Sequence, residues 1–316
     1  MSVLKKIRLP QTTALYGIVF TIIVFSIWNH SFFAIGNFVN VSRQLAPLAI
    51  IAICSFLALM THHTDLSVGG FMGLAGIVAC LLSNKGWNLF AACAVALLCT
   101  MFLGMINGII IAYTTIAPFI VTLAMMGIAQ SIASVLGRES LKFANEKFAV
   151  LNNADVFGVI PLPFFITVAL YLFIAFILYK RKFGTQLYAI GGREESALAS
   201  GINVKRDKII VFTINGLLGG FAGLMFSSRI CAANPTFGEG YELQGICSAV
   251  LGGTALSGGK GSIGGAFLGA LAIQLIRNGM NFVGLNSNIQ MITIGVILVI
   301  IITMDTFRKE GKRNEK

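Results

Sequence analysis

KRKFGTQLYAIGGREESALASGINVKRDK, Lys180 to Lys208, is the longest clearly polar segment in an otherwise greasy chain. Seven of its residues are basic (Lys180, Arg181, Lys182, Arg193, Lys205, Arg206 and Lys208), with a cluster at each end directly against an apolar run. Lys and Arg are retained on the cytoplasmic side during insertion, so this pattern reads as a cytoplasmic loop between two membrane spans. Gly191-Gly192 breaks the chain, Glu194 and Glu195 suit the positive end of a helix dipole, and Gly201 is placed to end a helix. The spacing predicts a short helix from Arg193 to Ser200, roughly 12 Å long. Ala197 and Leu198 give it a weak apolar face. Two readings stand: a solvated connector, or a docking helix for a cytoplasmic partner.

The 316 residues are 56% hydrophobic and only 11% charged, with a mean hydropathy of +0.86. Soluble chains carry about 25% charged residues. Soluble domains are therefore excluded and an all-α polytopic membrane protein is expected, because in lipid each helix satisfies its own backbone. The net charge of +11 invites a nucleic-acid partner, but 16 of the 23 basic residues occupy four membrane-flanking segments. These are the N-terminal flank (Lys5, Lys6, Arg8), the central loop, Lys260, and the C-terminal flank (Arg308, Lys309, Lys312, Arg313, Lys316). Topology explains the charge, and membrane lipid rather than nucleic acid is the expected partner. Thirty-five glycines exceed the usual ~7% share and suggest close helix packing. Six cysteines are scattered without a CxxC pair, so no metal or redox site is expected. A bridge between Cys231 and Cys247 across one outer loop is left open. The basic start and first apolar run lack a small-residue cleavage site after Trp28, which predicts an uncleaved first span.

Ten apolar segments can be drawn, at 12–32, 45–61, 67–83, 88–111, 118–137, 162–179, 209–229, 244–256, 263–283 and 288–304; the second, third and eighth are short. Parity tests the number. Both termini and the central loop should be cytoplasmic, so six crossings precede the loop and four follow it. The chain then reads as one transmembrane domain over 1–316. The stretches 138–163 and 230–243 face out, the second carrying Glu239 and Glu242. Two inner turns break the helical pattern and share T-x-L-S-x-G: Thr64 to Gly69 and Thr254 to Gly259. Glycine-interrupted, shortened spans in two halves of a membrane protein point to a translocation pathway.

Gly258-Gly259-Lys260-Gly261-Ser262 fails the phosphate-loop pattern, so no ATP site is expected on this chain. Neither H-E-x-x-H nor G-x-S-x-G occurs, and no catalytic residue is expected. Asp65 is informative, because a carboxylate at the bilayer centre costs roughly 2.5–3.5 kcal/mol. It is read as sitting in water at the inner end of span two, capping the helix that follows. The other reading makes Asp65 a proton relay and the chain a stand-alone proton-coupled secondary carrier for a small polar solute. The remaining polar groups within the spans are uncharged: Asn107, Thr122, Gln130, Asn215, Gln274, Asn278, Asn281 and Gln290. They suit helix–helix hydrogen bonds or a path for a neutral, hydroxyl-rich solute. The pathway candidates are Asp65, Ser67, Asn107, Pro118, Thr122, Asn215 and Asn278. Arg229 and Arg277 fall near outer span ends, where snorkelling explains them.

Several strings, in order, resemble one family: DLSVG (65–69), Asn107-Gly108, PFIVTLAMM (118–126), YAIGGREESALASGI (188–202) and GYEL…AVLGGTALSGGKGSIGG (240–265). Together they are similar to permease subunits of ribose-type monosaccharide ABC importers, within the branched-chain amino acid/ribose permease superfamily. His62-His63 departs where members commonly carry small residues, as does Arg277 where an uncharged residue is usual. The resemblance implies a type II ABC importer-like fold in a bacterial cytoplasmic membrane, working by alternating access without a cofactor. It implies a second permease copy or paralogue, a cytoplasmic ABC ATPase and an extracytoplasmic sugar-binding protein that delivers a monosaccharide. ATPase coupling would fall on Gly191, Gly192, Arg193, Glu194, Glu195, Ala197, Leu198 and Gly201. Binding-protein docking would fall on Arg229, Glu239 and Glu242.

Overall fold

The computed structural model describes residues 12–156, 158 and 160–314, with side chains described from 14 to 300 and at 303. The basic clusters expected at the two chain ends, Lys5, Lys6 and Arg8 and then Arg308 to Lys316, fall outside the described side chains. The helices, in order, are α1 (Thr12–Trp28), α2 (Ile35–Met60), α3 (Ser67–Asn84), α4 (Leu89–Tyr113), α5 (Pro118–Leu136), α6 (Val150–Asn153) and α7 (Leu162–Lys180). Then come α8 (Lys182–Gly192), α9 (Glu194–Ala199), α10 (Val204–Ile230), α11 (Tyr241–Leu251), α12 (Ile263–Phe282) and α13 (Ser287–Asn314). Among the described residues, four two-residue strands, β1 (Leu141–Lys142), β2 (Asp155–Val156), β3 (Ile160–Pro161) and β4 (Ala232–Ala233), pair antiparallel as β1–β4 and β2–β3. Local signals set the helix starts. Asn88, Asn203 and Ser262 cap α4, α10 and α12 with side-chain oxygens that accept first-turn amides, and Pro118 opens α5.

Among the described residues, seven helices are long and apolar enough to cross a membrane: α2, α3, α4, α5, α7, α10 and α12. The apolar stretches Ala14–Trp28 and Ser287–Ile300 are shorter. The chain is thus a multi-pass membrane protein. The eighth expected span needs correction. Instead of an apolar helix over 244–256 there is α11, of 11 residues, about 16 Å against a hydrocarbon core of ~30 Å. Gly240 (φ 80°) starts it and Gly253 (φ 90°) ends it, both in left-handed conformations that stop a helix. Before α11 the chain descends without helix, Pro235 and Gly238 lying against Gly73 and Gly69 of α3. Ala232, Ala233, Pro235 and Gly238 of this stretch are buried, whereas Thr236 and Glu239 are exposed.

α2 is the central post. Every residue from Leu45 to Met60 is buried, which is why its sequence is apolar all round rather than striped. α10 packs on α4, α3 and α2, and α12 packs on α11, α2 and α1. A Cβ on Gly104 would overlap the Phe212 carbonyl oxygen, and one on Gly216 would overlap that of Thr100, so α4 and α10 meet backbone to backbone. Amides lace α2 to α12: Asn37 and Asn278 exchange hydrogen bonds at 2.9 and 3.0 Å, and Gln274 donates to Gln44 at 3.0 Å. α4, α5 and α7 turn large apolar side chains outward, among them Phe90, Ile120 and Leu172. The 138–161 stretch straps one end of the bundle. Asn84 bonds Lys142 O and Ala144 N, Ser228 donates to Phe148 O at 2.7 Å, and Arg43 pairs with Asp155 at 2.8 Å.

Candidate functional site

Between α2 and α3 the chain breaks at 61–66, where His62 takes φ 64°, a left-handed backbone unusual outside glycine. Asp65, expected in water, is instead 1% exposed within the bundle. The expected cap is present: its Oδ1 accepts from the Ser67 backbone N–H at 3.0 Å and from the Ser67 hydroxyl. Its Oδ2 accepts from Asn215 Nδ2 of α10 at 3.0 Å, and Asn107 Nδ2 of α4 donates to Ser67 Oγ at 3.0 Å. Protein donors replace water at this carboxylate, which is how a buried polar group is held. Thr122 Oγ1 of α5 lies 3.5 Å from Thr64 O and donates to Pro118 O at 3.0 Å. Six of the seven pathway candidates therefore share one region. Asn278 lies apart, paired with Asn37.

With Asp65 ionised, its neighbours set the amide orientations in this cluster. Asn215 Nδ2 also reaches Cys54 O at 3.2 Å, so both of its neighbours are acceptors. Ser67 spends its proton on Asp65 and can only accept from Asn107. Asn107 Oδ1 and Asn215 Oδ1 are consequently left without partners, on side chains that are wholly buried. The cluster thus holds two spare acceptors.

The central loop carries more helix than expected, α8 in addition to α9. Gly201, at φ 77°, ends α9 as expected. Ala197 is buried with Ile190 and Val204, whereas Leu198 is 53% exposed beside Gly192, Arg193 and Glu195. Glu194 accepts both of its bonds from Lys208 Nζ, at 2.8 and 3.0 Å, tying α9 to the first turns of α10. Gly191 is buried. Arg206, read as loop flank, pairs at 3.0 Å with Asp207, which is wholly buried. His63, in the connection between spans, is pushed down to about 4, chiefly by burial and then by the Lys208 charge.

At the opposite end, Arg229 and Glu239 are exposed, but Glu242 is not an outer-surface residue. It sits in the first turn of α11, 8% exposed and against Gly69, because α11 starts inside the bundle. Among the described residues, none of the four ion pairs involves Arg229, Glu239 or Glu242. Arg277 instead donates to Gln244 at 2.8 Å and lies 5.5 Å from the Tyr241 ring centre, a grouping that no local signal marked. All six cysteines are free. Cys247 packs in the core around α2 and Cys231 beside Cys80, in separate clusters, so the bridge left open above is not formed.

Comparison with known proteins gives one answer over most of the chain. The chain is 35% identical over 308 residues, 95% of each sequence, to the ribose import permease protein RbsC of Escherichia coli (strain K12). It is 36% identical over 292 residues to that of Bacillus subtilis (strain 168), covering 92% of this chain and 90% of that one. It is 32% identical over 276 residues to the D-allose transport system permease protein AlsC of Escherichia coli (strain K12), covering 87% and 84%. No solved structure matches. The profile of the branched-chain amino acid transport system / permease component family matches residues 37–302, a reach that takes in the Asp65 cluster, the central loop and α11 alike, and the chain belongs to that family.

Proposed function

We propose that this chain is the membrane permease subunit of an ATP-driven importer, moving a monosaccharide, ribose or a related sugar, across a bacterial cytoplasmic membrane by alternating access. Similarity to sugar import permeases over nearly the full length of both partners carries the reading. The chain acts as one domain over 1–316, with ten crossings made by α1–α5, α7 and α10–α13 and both termini in the cytoplasm. It pairs with a second copy or a paralogue. A separate ATPase docks on α9, and a sugar-binding protein meets the face that carries Arg229 and Glu239.

The Asp65 cluster supports a sugar path. Its polar groups come from the α2–α3 break, α3, α4, α5 and α10, so separating these spans would open it. Asn107 Oδ1 and Asn215 Oδ1 then meet sugar hydroxyls as acceptors without leaving a charge exposed. Asp65 is occupied by Ser67 and Asn215, which favours this reading over a proton relay. The test is uptake of labelled ribose and related sugars into proteoliposomes holding the chain with its ATPase and binding protein. ATP is expected to drive uptake and a proton gradient alone to drive none. Gradient-driven uptake without the ATPase would overturn the reading.

A further inference from the structure

Three segments distant in sequence meet at one end of the bundle: the end of α8, the start of the α2–α3 connection, and the α11–α12 turn. A Cβ on Gly191 would overlap the Met60 carbonyl oxygen and the Gly259 nitrogen. These are backbone atoms, which no side-chain rotation moves aside. Gly259, at φ 65°, answers from the other side, where its Cβ would lie 2.5 Å from Gly192 N and 2.6 Å from the Gly191 carbonyl carbon. Gly258, at φ 73°, would meet Gly191 O at 2.9 Å and both His62 Cβ and His62 N at 3.1 Å. Two hydrogen bonds fasten the arrangement. The Tyr188 hydroxyl donates to Gly261 O at 3.0 Å, and His62 Nδ1 lies 2.8 Å from Ser257 O, a carbonyl that can only accept.

Backbones fitted this closely leave no room to slide, and packed contacts shift between discrete arrangements rather than deforming smoothly. We propose that these three turns form one rigid knot that passes movement of the central loop directly to α3 and to α11–α12, with Gly191 and His62 as positioning residues. The proposal rests on the reading of the central loop as the ATPase docking site. It adds the route that the movement takes. From His62 the chain runs straight to Asp65, which is fixed to Asn215 and, through Ser67, to Asn107. Displacement at Gly191 therefore reaches the polar cluster through a few residues of connection, without being relayed along a full span. The α11–α12 turn moves with it, since Gly252 backs onto Gly265 and Gly269 onto Ser248 with no space between the backbones.

The experiment uses the chain reconstituted with its ATPase and binding protein, reading ATPase association, ATP hydrolysis and sugar moved per ATP. Gly191→Ala puts a methyl against the other two turns. In the assembled complex, sugar moved per ATP hydrolysed is expected to fall by about tenfold or more. Unchanged sugar per ATP overturns the proposal. The double variant Tyr188→Phe, His62→Ala removes both hydrogen bonds without adding volume. It decides the matter if the Gly191→Ala protein fails to accumulate: a partial fall in sugar per ATP is expected, and none overturns the proposal. If the unmutated chain does not bind the ATPase at all, the docking reading fails instead.

Discussion

At Asp65 one side chain serves donors from two elements, so its removal costs more than one hydrogen bond. Asp65→Ala leaves the Ser67 amide and the Asn215 side chain short of an acceptor inside the bundle. A loss of about 2–4 kcal/mol follows from desolvated, unpaired donors. Asp65→Asn keeps one acceptor oxygen and the volume, and should cost roughly half as much. Unfolding midpoints of the purified protein in detergent check this, and equal losses for the two variants would refute it. His63 gives a pH prediction. Its folded value of about 4 lies below the ordinary one, so between about 6.5 and 4 the unfolded chain binds a proton that the folded chain does not. Stability is full above that window and declines as pH falls through it. His63→Gln should flatten the decline, so that between pH 7 and about 4.5 the unfolding midpoint falls less for the variant than for the unmutated chain. That Asp65 caps a helix was legible in D-L-S. That it does so inside the bundle was not, because Asn107 and Asn215 stand 40 and 150 residues from their partners.

Helices here meet through glycine, and the cost of filling one depends on what it faces. Gly104→Leu forces α4 off α10, where backbone atoms are already in contact, and overpacking of this kind costs about 1–3 kcal/mol. Gly127→Leu, with nothing within 4 Å of its Cβ, should cost no more than about 0.5 kcal/mol. Comparing folded yields and unfolding midpoints of the pair separates contact from propensity. For α9, the buried Ala197 and the exposed Leu198 divide the labour between holding the helix down and presenting a surface. Leu198→Asp should leave expression unchanged while ATPase co-purification drops about tenfold, since a charge enters an apolar contact without a partner. Normal association and uptake would make α9 only a connector. The extent of α9 was legible because Glu194, Glu195 and Gly201 mark its ends by local chemistry. α8 was missed because its basic first turn and paired glycines read as loop, and its burying contacts lie on α7 and α2, outside the local window.

Across the whole molecule the positive-inside bias fixed the expected parity, and α11 is where parity meets geometry. Eleven residues of helix do not cross a bilayer alone. Yet the chain reaches α11 by descending along α3 from Pro235 to Gly238, and leaves it at the turn that touches Gly191. We propose that descent and half-helix together make one crossing, which would keep the number even although the form of that segment was misjudged. The positions that test this must be exposed. Gly192, Lys260, Asn153 and Glu239 all are, whereas Gly238 is buried against Gly69 and unsuitable. Single cysteines at those four sites, in a background without native cysteines, are to be labelled by an impermeant thiol reagent. On intact cells Asn153 and Glu239 should react, and Gly192 and Lys260 only after permeabilisation. Labelling of Lys260 from outside while Gly192 stays protected would remove the crossing at α11. It would then place α12 and α13 in the opposite sense and send the basic C-terminal flank to the outer face, against the charge bias of the rest of the chain.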